Sequence, residues 1–190
     1  IDIKSYNLDP QSLEERVREI KESGKFNPKA VVAVDFLGNP AELTEIRNIC
    51  DKYDMYLIED AAQSMGASYE GKKCCSFGDI ACTSFFPSKP LGCYGDGGAV
   101  FTDNDEFAEL MRSIKVHGKG VSKYDNVRIG INSRLDTLQA AVLLTKLSVL
   151  DEEIEKRGKL ADVYQNALQD IVKVPQIREG NISSFAQYCV

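Results

Sequence analysis

The sequence predicts an α/β fold built on a parallel sheet, and three consecutive stretches carry that prediction. Ala30-Val31-Val32-Ala33-Val34 is a short continuous apolar run. Asn39-Pro40 then opens a helical spacing, with Pro in the first turn and Leu43, Ile46 and Cys50 recurring on one face. Met55-Tyr56-Leu57-Ile58 is a second apolar run, ending in Glu59-Asp60. Uninterrupted apolar runs of this length mark strands buried on both faces. Strand, helix and strand within about thirty residues make a βαβ unit, whose strands must run parallel.

The flanking elements follow in order. After Asp9-Pro10, the residues Leu13, Val17 and Ile20 fall at helical spacing, so residues 10–22 read as an amphipathic helix. Glu70-Gly71-Lys72-Lys73 reads as a turn, and residues 80–86 as a strand of mixed polarity. Gly95-Asp96-Gly97-Gly98 is a glycine-forced bend leading into Ala99-Val100-Phe101-Thr102. Asp103 or Asn104 can cap a helix carrying Phe107, Leu110, Met111 and Ile114. From Leu135 the apolar spacing is helical through Leu168, as one or two long helices with a break expected near Leu150-Asp151. Residues 171–190 read as the start of new β structure, and no internal repeat or low-complexity segment interrupts the chain.

Composition narrows the function. The 190 residues are 43% hydrophobic and 27% charged, which is globular rather than disordered. A formal net charge of -6 argues against a nucleic-acid groove, which needs a basic face. No run approaches the ~18 apolar residues of a membrane span, and Ile1-Asp2-Ile3-Lys4 shows neither a signal peptide nor an initiator methionine. Because Ser184-Phe185-Ala186-Gln187-Tyr188-Cys189-Val190 reads as a strand with nowhere to pair, a fragment of a longer chain is expected. Six cysteines without a C-x-x-C pair suit a reducing cytosol, and the expected location is cytoplasmic. With one histidine, His117, a metal site built from imidazoles is excluded, and no metal is expected.

Few residues remain that could carry chemistry. Asp60 sits where a strand leaves the sheet, the edge at which parallel α/β sheets bind ligands. Taken singly it reads as an aspartate that starts a turn; as a site residue it could hold a protonated ring nitrogen. Lys89 lies in Ser84-Phe85-Phe86-Pro87-Ser88-Lys89-Pro90-Leu91-Gly92. Taken singly it is a loop lysine; held among aromatics and prolines and partly desolvated, it is an amine able to form a Schiff base. The Gly95–Gly98 bend is neither a P-loop nor a dinucleotide fingerprint. The order Asp60, Gln63, Ser84, Lys89, glycine bend is the layout of a pyridoxal-phosphate site: ring-nitrogen partner, ring-face residue, phosphate ligand and Schiff-base lysine.

These motifs, with His117-Gly118 and Gly130-Ile131-Asn132-Ser133-Arg134-Leu135-Asp136-Thr137-Leu138-Gln139-Ala140-Ala141, resemble the DegT/StrS family of sugar-nucleotide aminotransferases across nearly the whole chain. The resemblance implies a fold-type-I pyridoxal-phosphate (PLP) transferase large domain, three-layered with a mostly parallel sheet. Residues 1–147 would be part of that domain, and residues 148–190 the linking helix and the beginning of a small C-terminal domain. It implies PLP as cofactor, with Lys89 as its covalent anchor and proton carrier. Asp60 would pair with the pyridinium nitrogen, Gln63 lie on the ring face, and Ser84 bind the phosphate. Asn132 would reach the cofactor phosphate of a neighbouring subunit, making a homodimer the working unit. Arg134 would meet a substrate carboxylate at that interface, or serve there as a structural ion pair. The implied reaction is ping-pong amino transfer from L-glutamate, leaving 2-oxoglutarate, to a keto sugar nucleotide for surface polysaccharide. Residues 85–98 are most similar to the enzymes acting on UDP-3-keto-N-acetylglucosaminuronate. The fragment alone is expected to be inactive. A family-derived regulatory or binding protein without turnover, or another fold-type-I PLP enzyme, is the alternative, whereas a sugar dehydratase of the family expects histidine where Lys89 stands.

Overall fold

In the computed structural model, which describes residues 1–122 and 124–190, the expected strand–helix–strand unit forms over residues 30–60. The elements are α1 (Pro10–Ser23), β1 (Ala30–Val34), α2 (Leu43–Tyr53), β2 (Tyr56–Asp60), β3 (Ser68–Tyr69), β4 (Lys72–Lys73), β5 (Ile80–Ser84), β6 (Gly98–Phe101), α3 (Asp105–Ile114), α4 (Thr137–Leu147) and α5 (Leu150–Leu168). The main sheet has the order β1-β2-β5-β6. β1, β2 and β5 are parallel, with Val34 beside Asp60 and Asp60 beside Cys82, while β6 runs antiparallel to β5. The glycine bend explains the reversal, since it returns the chain straight onto β5 and pairs Ser84 with Gly98. β3 and β4 form a small hairpin around the Glu70-Gly71 turn, both residues at positive φ.

Local chemistry sets the helix ends. Asp9 caps α1 by accepting the Ser12 N–H at 2.8 Å, and Gly24 closes it in the left-handed conformation. Of the two candidates for the α3 cap, Asn104 serves, accepting the Phe107 N–H at 3.0 Å. Helix α2 starts at Leu43 rather than at Pro40. The stretch before it is a short 3-10 turn over Phe36–Gly38, followed by buried Asn39 and Pro40. The Asp35 side chain accepts the Ala41 N–H at 2.9 Å, and Glu42, at ψ 66, lies outside the helical region, so the helix begins only after it. The α4–α5 break falls at Ser148-Val149. The β structure expected over residues 171–190 does not form: among the described residues that stretch contributes only an isolated bridge, Ser68 to Ile182.

One face of the sheet is covered by α1 and α2. Val31, Ala33 and Leu57 pack there against Val17, Leu43, Ile46, Ile49 and Cys50. On the other face Val32, Val34 and Tyr56 stay exposed, and the Phe107 ring of α3 meets Tyr56 edge-on at 5.7 Å. A second core joins Phe85, Leu91 and Cys93 to Leu143 of α4 and to Leu150 and Ile154 of α5. That core underpins the Lys89 loop. No helix among the described residues is long and apolar enough to cross a membrane.

Candidate active site at the carboxyl edge of the sheet

Parallel strands end on one side, and loops from three neighbouring strands gather there. After β1 comes the turn 35–38, after β2 the loop 60–67, and after β5 the segment 84–95. Two bonds knit the last two together: Ala61 N–H donates to the Cys82 carbonyl (2.8 Å), and Thr83 Oγ1 donates to the Ala61 carbonyl (2.9 Å). Asp60 and Ser84 are thereby held on adjacent strands at the same edge.

Asp60 is half-buried, and its Oδ1 accepts the Ala62 N–H at 3.1 Å. Ser84 Oγ accepts the Phe86 N–H at 3.2 Å and uses its own proton on no described residue. Lys89 sits in a tight turn closed by its N–H on the Phe86 carbonyl (2.9 Å). Its side chain is half-buried, with no partner among the described residues. Gln63 is half-buried as well; its Oε1 accepts the Leu37 N–H at 2.9 Å, leaving its amide protons unused. A carboxylate, a hydroxyl donor, an amide donor and a primary amine therefore stand on one edge with spare valence. That donor set fits a phosphorylated pyridine aldehyde, which needs a ring-nitrogen acceptor, a phosphate donor and a nucleophilic amine.

The Lys89 loop is braced from below by α4. Lys146 Nζ donates to the Gly92 carbonyl (2.7 Å), and Tyr94 N–H donates to Gln139 Oε1 (2.8 Å). Cys93, fully buried, donates from its N–H to the Phe85 carbonyl at 2.8 Å. A Cβ on Gly97 would come within 2.9 Å of the Leu135 side chain and 3.3 Å of Phe85, so the bend packs closely against both.

Asn132 and Arg134 lie elsewhere, in the exposed segment between α3 and α4. Arg134 Nε donates to Asn132 Oδ1 at 3.1 Å, and neither bonds to Asp60, Ser84 or Lys89. His117 is exposed at φ 60, and its backbone N–H bonds the Ile131 carbonyl (2.9 Å).

Beneath the loops lies a buried polar cluster that the sequence reading missed. Asp35, Glu59 and Cys74 place side-chain ligand atoms within 4.8 Å of one another. Asp35 is fully buried; Ser64 Oγ donates to its Oδ2 at 2.6 Å. Burial pushes its carboxyl up to about 7, against those stabilising hydrogen bonds. Glu59 accepts the N–H groups of Cys75 (2.5 Å) and Phe77 (2.9 Å), and burial likewise raises its pKa. Desolvation also raises the Cys74 thiol, with the neighbouring Asp35 and Glu59 adding to it. A readable signal for Asp35 existed, because it leaves β1 at the edge where Asp60 leaves β2.

Parallel strands ending in a carboxylate, a hydroxyl and a loop lysine define the large domain of a fold-type-I PLP protein. The family model for the DegT/DnrJ/EryC1/StrS aminotransferase family matches residues 1–190. The chain belongs to that family. A UDP-2-acetamido-2-deoxy-3-oxo-D-glucuronate aminotransferase of Pseudomonas aeruginosa is 50% identical over 191 residues, covering 100% of this chain and 51% of its own. A protein of Geobacillus stearothermophilus called a pleiotropic regulatory protein is 40% identical over 194 residues, covering 100% and 50%. A solved DegT DnrJ EryC1 StrS aminotransferase from Brucella abortus superposes with a TM-score of 0.96 at 49% identity, covering 99% of this chain and 50% of that one. The chain thus spans about half the length of the curated relatives it matches.

Proposed function

We propose that the protein to which this chain belongs moves an amino group from L-glutamate to a keto sugar nucleotide, with PLP as cofactor, in making a surface polysaccharide. The favoured acceptor is a UDP-linked 3-keto sugar bearing a uronate carboxylate. The observation that carries this reading is the gathering of Asp60, Gln63, Ser84 and Lys89 at one sheet edge, each with unused hydrogen-bonding or nucleophilic capacity. Half identity over the whole chain to the P. aeruginosa aminotransferase supports the substrate class.

The bound cofactor supplies an electron sink for the carbanion next to the transferred nitrogen. This chain's residues do the rest. Lys89 would hold the cofactor through its amine, and the same amine, when free, would move a proton on and off the reacting carbon. Asp60 keeps the ring nitrogen protonated through a charge-assisted hydrogen bond. Ser84 donates its free proton to the phosphate. Gln63, held by the Leu37 N–H, would face the ring. Asn132 and Arg134, whose side chains bond only each other among the described residues, would act on a neighbouring subunit's site in a homodimer, on the cofactor phosphate and the substrate carboxylate respectively. Residues 1–147 would form the large-domain part and residues 148–190 the link to a further domain. A cytoplasmic enzyme would meet both substrates.

The test is borohydride reduction of the full-length protein after PLP addition, followed by peptide mapping. We expect the adduct on Lys89 and its complete loss in Lys89→Ala; an adduct retained in the mutant would move the anchor elsewhere. Similarity to the G. stearothermophilus regulatory protein favours a second reading, a PLP-fold protein without turnover. Formation of 2-oxoglutarate from glutamate in a single half-reaction separates the two.

A further inference from the structure

We infer that Ser184, with Ser183 beside it, is a positioning residue for Gln63: the segment after α5 straps down the loop that presents Gln63 to the cofactor. The inference rests on the PLP reading above. Ser184 is fully buried, and its Oγ donates to the Gln63 carbonyl at 2.5 Å. Its N–H donates to the Gly38 carbonyl at 2.9 Å, and Ser183 Oγ donates to the same carbonyl at 2.9 Å. On the other side of that turn, Leu37 N–H donates to Gln63 Oε1. Gln63 is therefore gripped twice, at its main chain by Ser184 and at its side chain by Leu37.

The two grips are coupled. Leu37 holds φ 61 without being glycine, a conformation that persists only where surroundings impose it. The imposing contacts are those of the strap on Gly38. At φ +88, a Cβ on Gly38 would come within 2.9 Å of both the Ala186 nitrogen and the Gln63 carbonyl, so turn, loop and strap are in direct contact. The strap is in turn tied down along its length. Asn39 Nδ2 bonds the Gln176 carbonyl (3.2 Å), and Arg157 of α5 bonds the Phe185 carbonyl (3.3 Å). Arg178 reaches Glu42, Glu45 and Glu70 and donates to the Tyr69 hydroxyl at 3.0 Å. Removing the Ser184 hydroxyl frees the Gln63 main chain, lets the Leu37 turn relax, and with it releases the side-chain amide whose orientation Leu37 fixes.

The experiment uses the full-length protein carrying Ser184→Ala, with Ser183→Ala as a second variant should the first not fold. In the cofactor-free protein, hydrogen exchange of the Leu37 amide should quicken by about tenfold, although Ser184 does not touch that amide; loss of one net hydrogen bond has this scale. In the PLP-loaded protein, the pH profile of visible absorbance should shift in Ser184→Ala, and the shift should vanish in a Gln63→Ala background. Unchanged Leu37 exchange, or an equal shift with and without Gln63, would overturn the strap. A wild-type protein that takes up no PLP would sink the cofactor reading instead, while the exchange measurement still reports on the strap by itself.

Discussion

The carboxyl-edge loops and the segment joining α3 to α4 both carry candidate site residues, yet they are built in opposite ways. In the first region, Asp35, Glu59, Ser64 and Ser184 are buried, and their polar atoms close on neighbouring loops. In the second, Val121 is fully exposed, Ile129 is 96% exposed and Ile131 59%, and the Asn132 side chain bonds only Arg134 among the described residues. A site whose geometry follows from burial is preformed by its own chain. A site on exposed apolar segments takes its geometry from whatever covers them, since large apolar surface left in water is unfavourable. The loops that carry Asp60, Gln63, Ser84 and Lys89 are of the first kind and the segment that carries Asn132 and Arg134 of the second, which is the contrast the proposed homodimer predicts.

The contrast can be tested in full-length protein by denaturant unfolding. The largest effect is expected from Leu43→Ala, a fully buried residue under β1 and β2; roughly 2–5 kcal/mol should be lost. Gly38→Ala should cost on the order of 2–3 kcal/mol through its positive φ and the close carbonyl and amide. If its stability is unchanged, the three-way contact at the loop edge is not tight.

Asp35→Asn tests the buried cluster through pH. The folded carboxyl titrates near 7 against an ordinary value of 3.8. The unfolded chain therefore binds fewer protons than the folded one between those values. Stability from this group is complete below about 3.8, falls as pH rises, and is lost by about 7. The asparagine variant should flatten that decline, leaving the same-signed contribution of Glu59. An unchanged slope would show that Asp35 is ionised in the folded protein. Arg178→Ala removes a half-exposed ion network and should cost about 1 kcal/mol. The smallest effect on subunit unfolding, within about 0.5 kcal/mol, is expected from Ile129→Ser. The same change should weaken self-association by roughly tenfold or more in sedimentation, as loss of a buried isoleucine does. Association unaltered by Ile129→Ser would remove this segment from the interface.

Periodicity and cap chemistry are local, so they made the βαβ unit, α1 and α3 legible in the sequence, while the order of the candidate residues Asp60, Ser84 and Lys89 was legible in its motifs. Two apolar runs of strand length around a helical spacing leave little besides a parallel pair, and that pair puts Asp60 and Ser84 on one edge. Contacts between distant segments were not legible. Pro40 looked like a helix start, but Glu42 at ψ 66 lies outside the helical region, so the helix waits until Leu43. Residues 184–190 looked like a strand, but donors of Ser184 and Gln187 go to the Gly38, Gln63 and Leu37 carbonyls. The sequence alone determined the strand–helix–strand unit, the helices flanking it and which end of the sheet carries the candidate residues, because those follow from spacing along one chain. Only the tertiary structure decided that Asp35 stays buried near neutrality and that Ser184 grips Gln63, because desolvation and a hydrogen bond across 121 residues exist only once the chain has closed on itself.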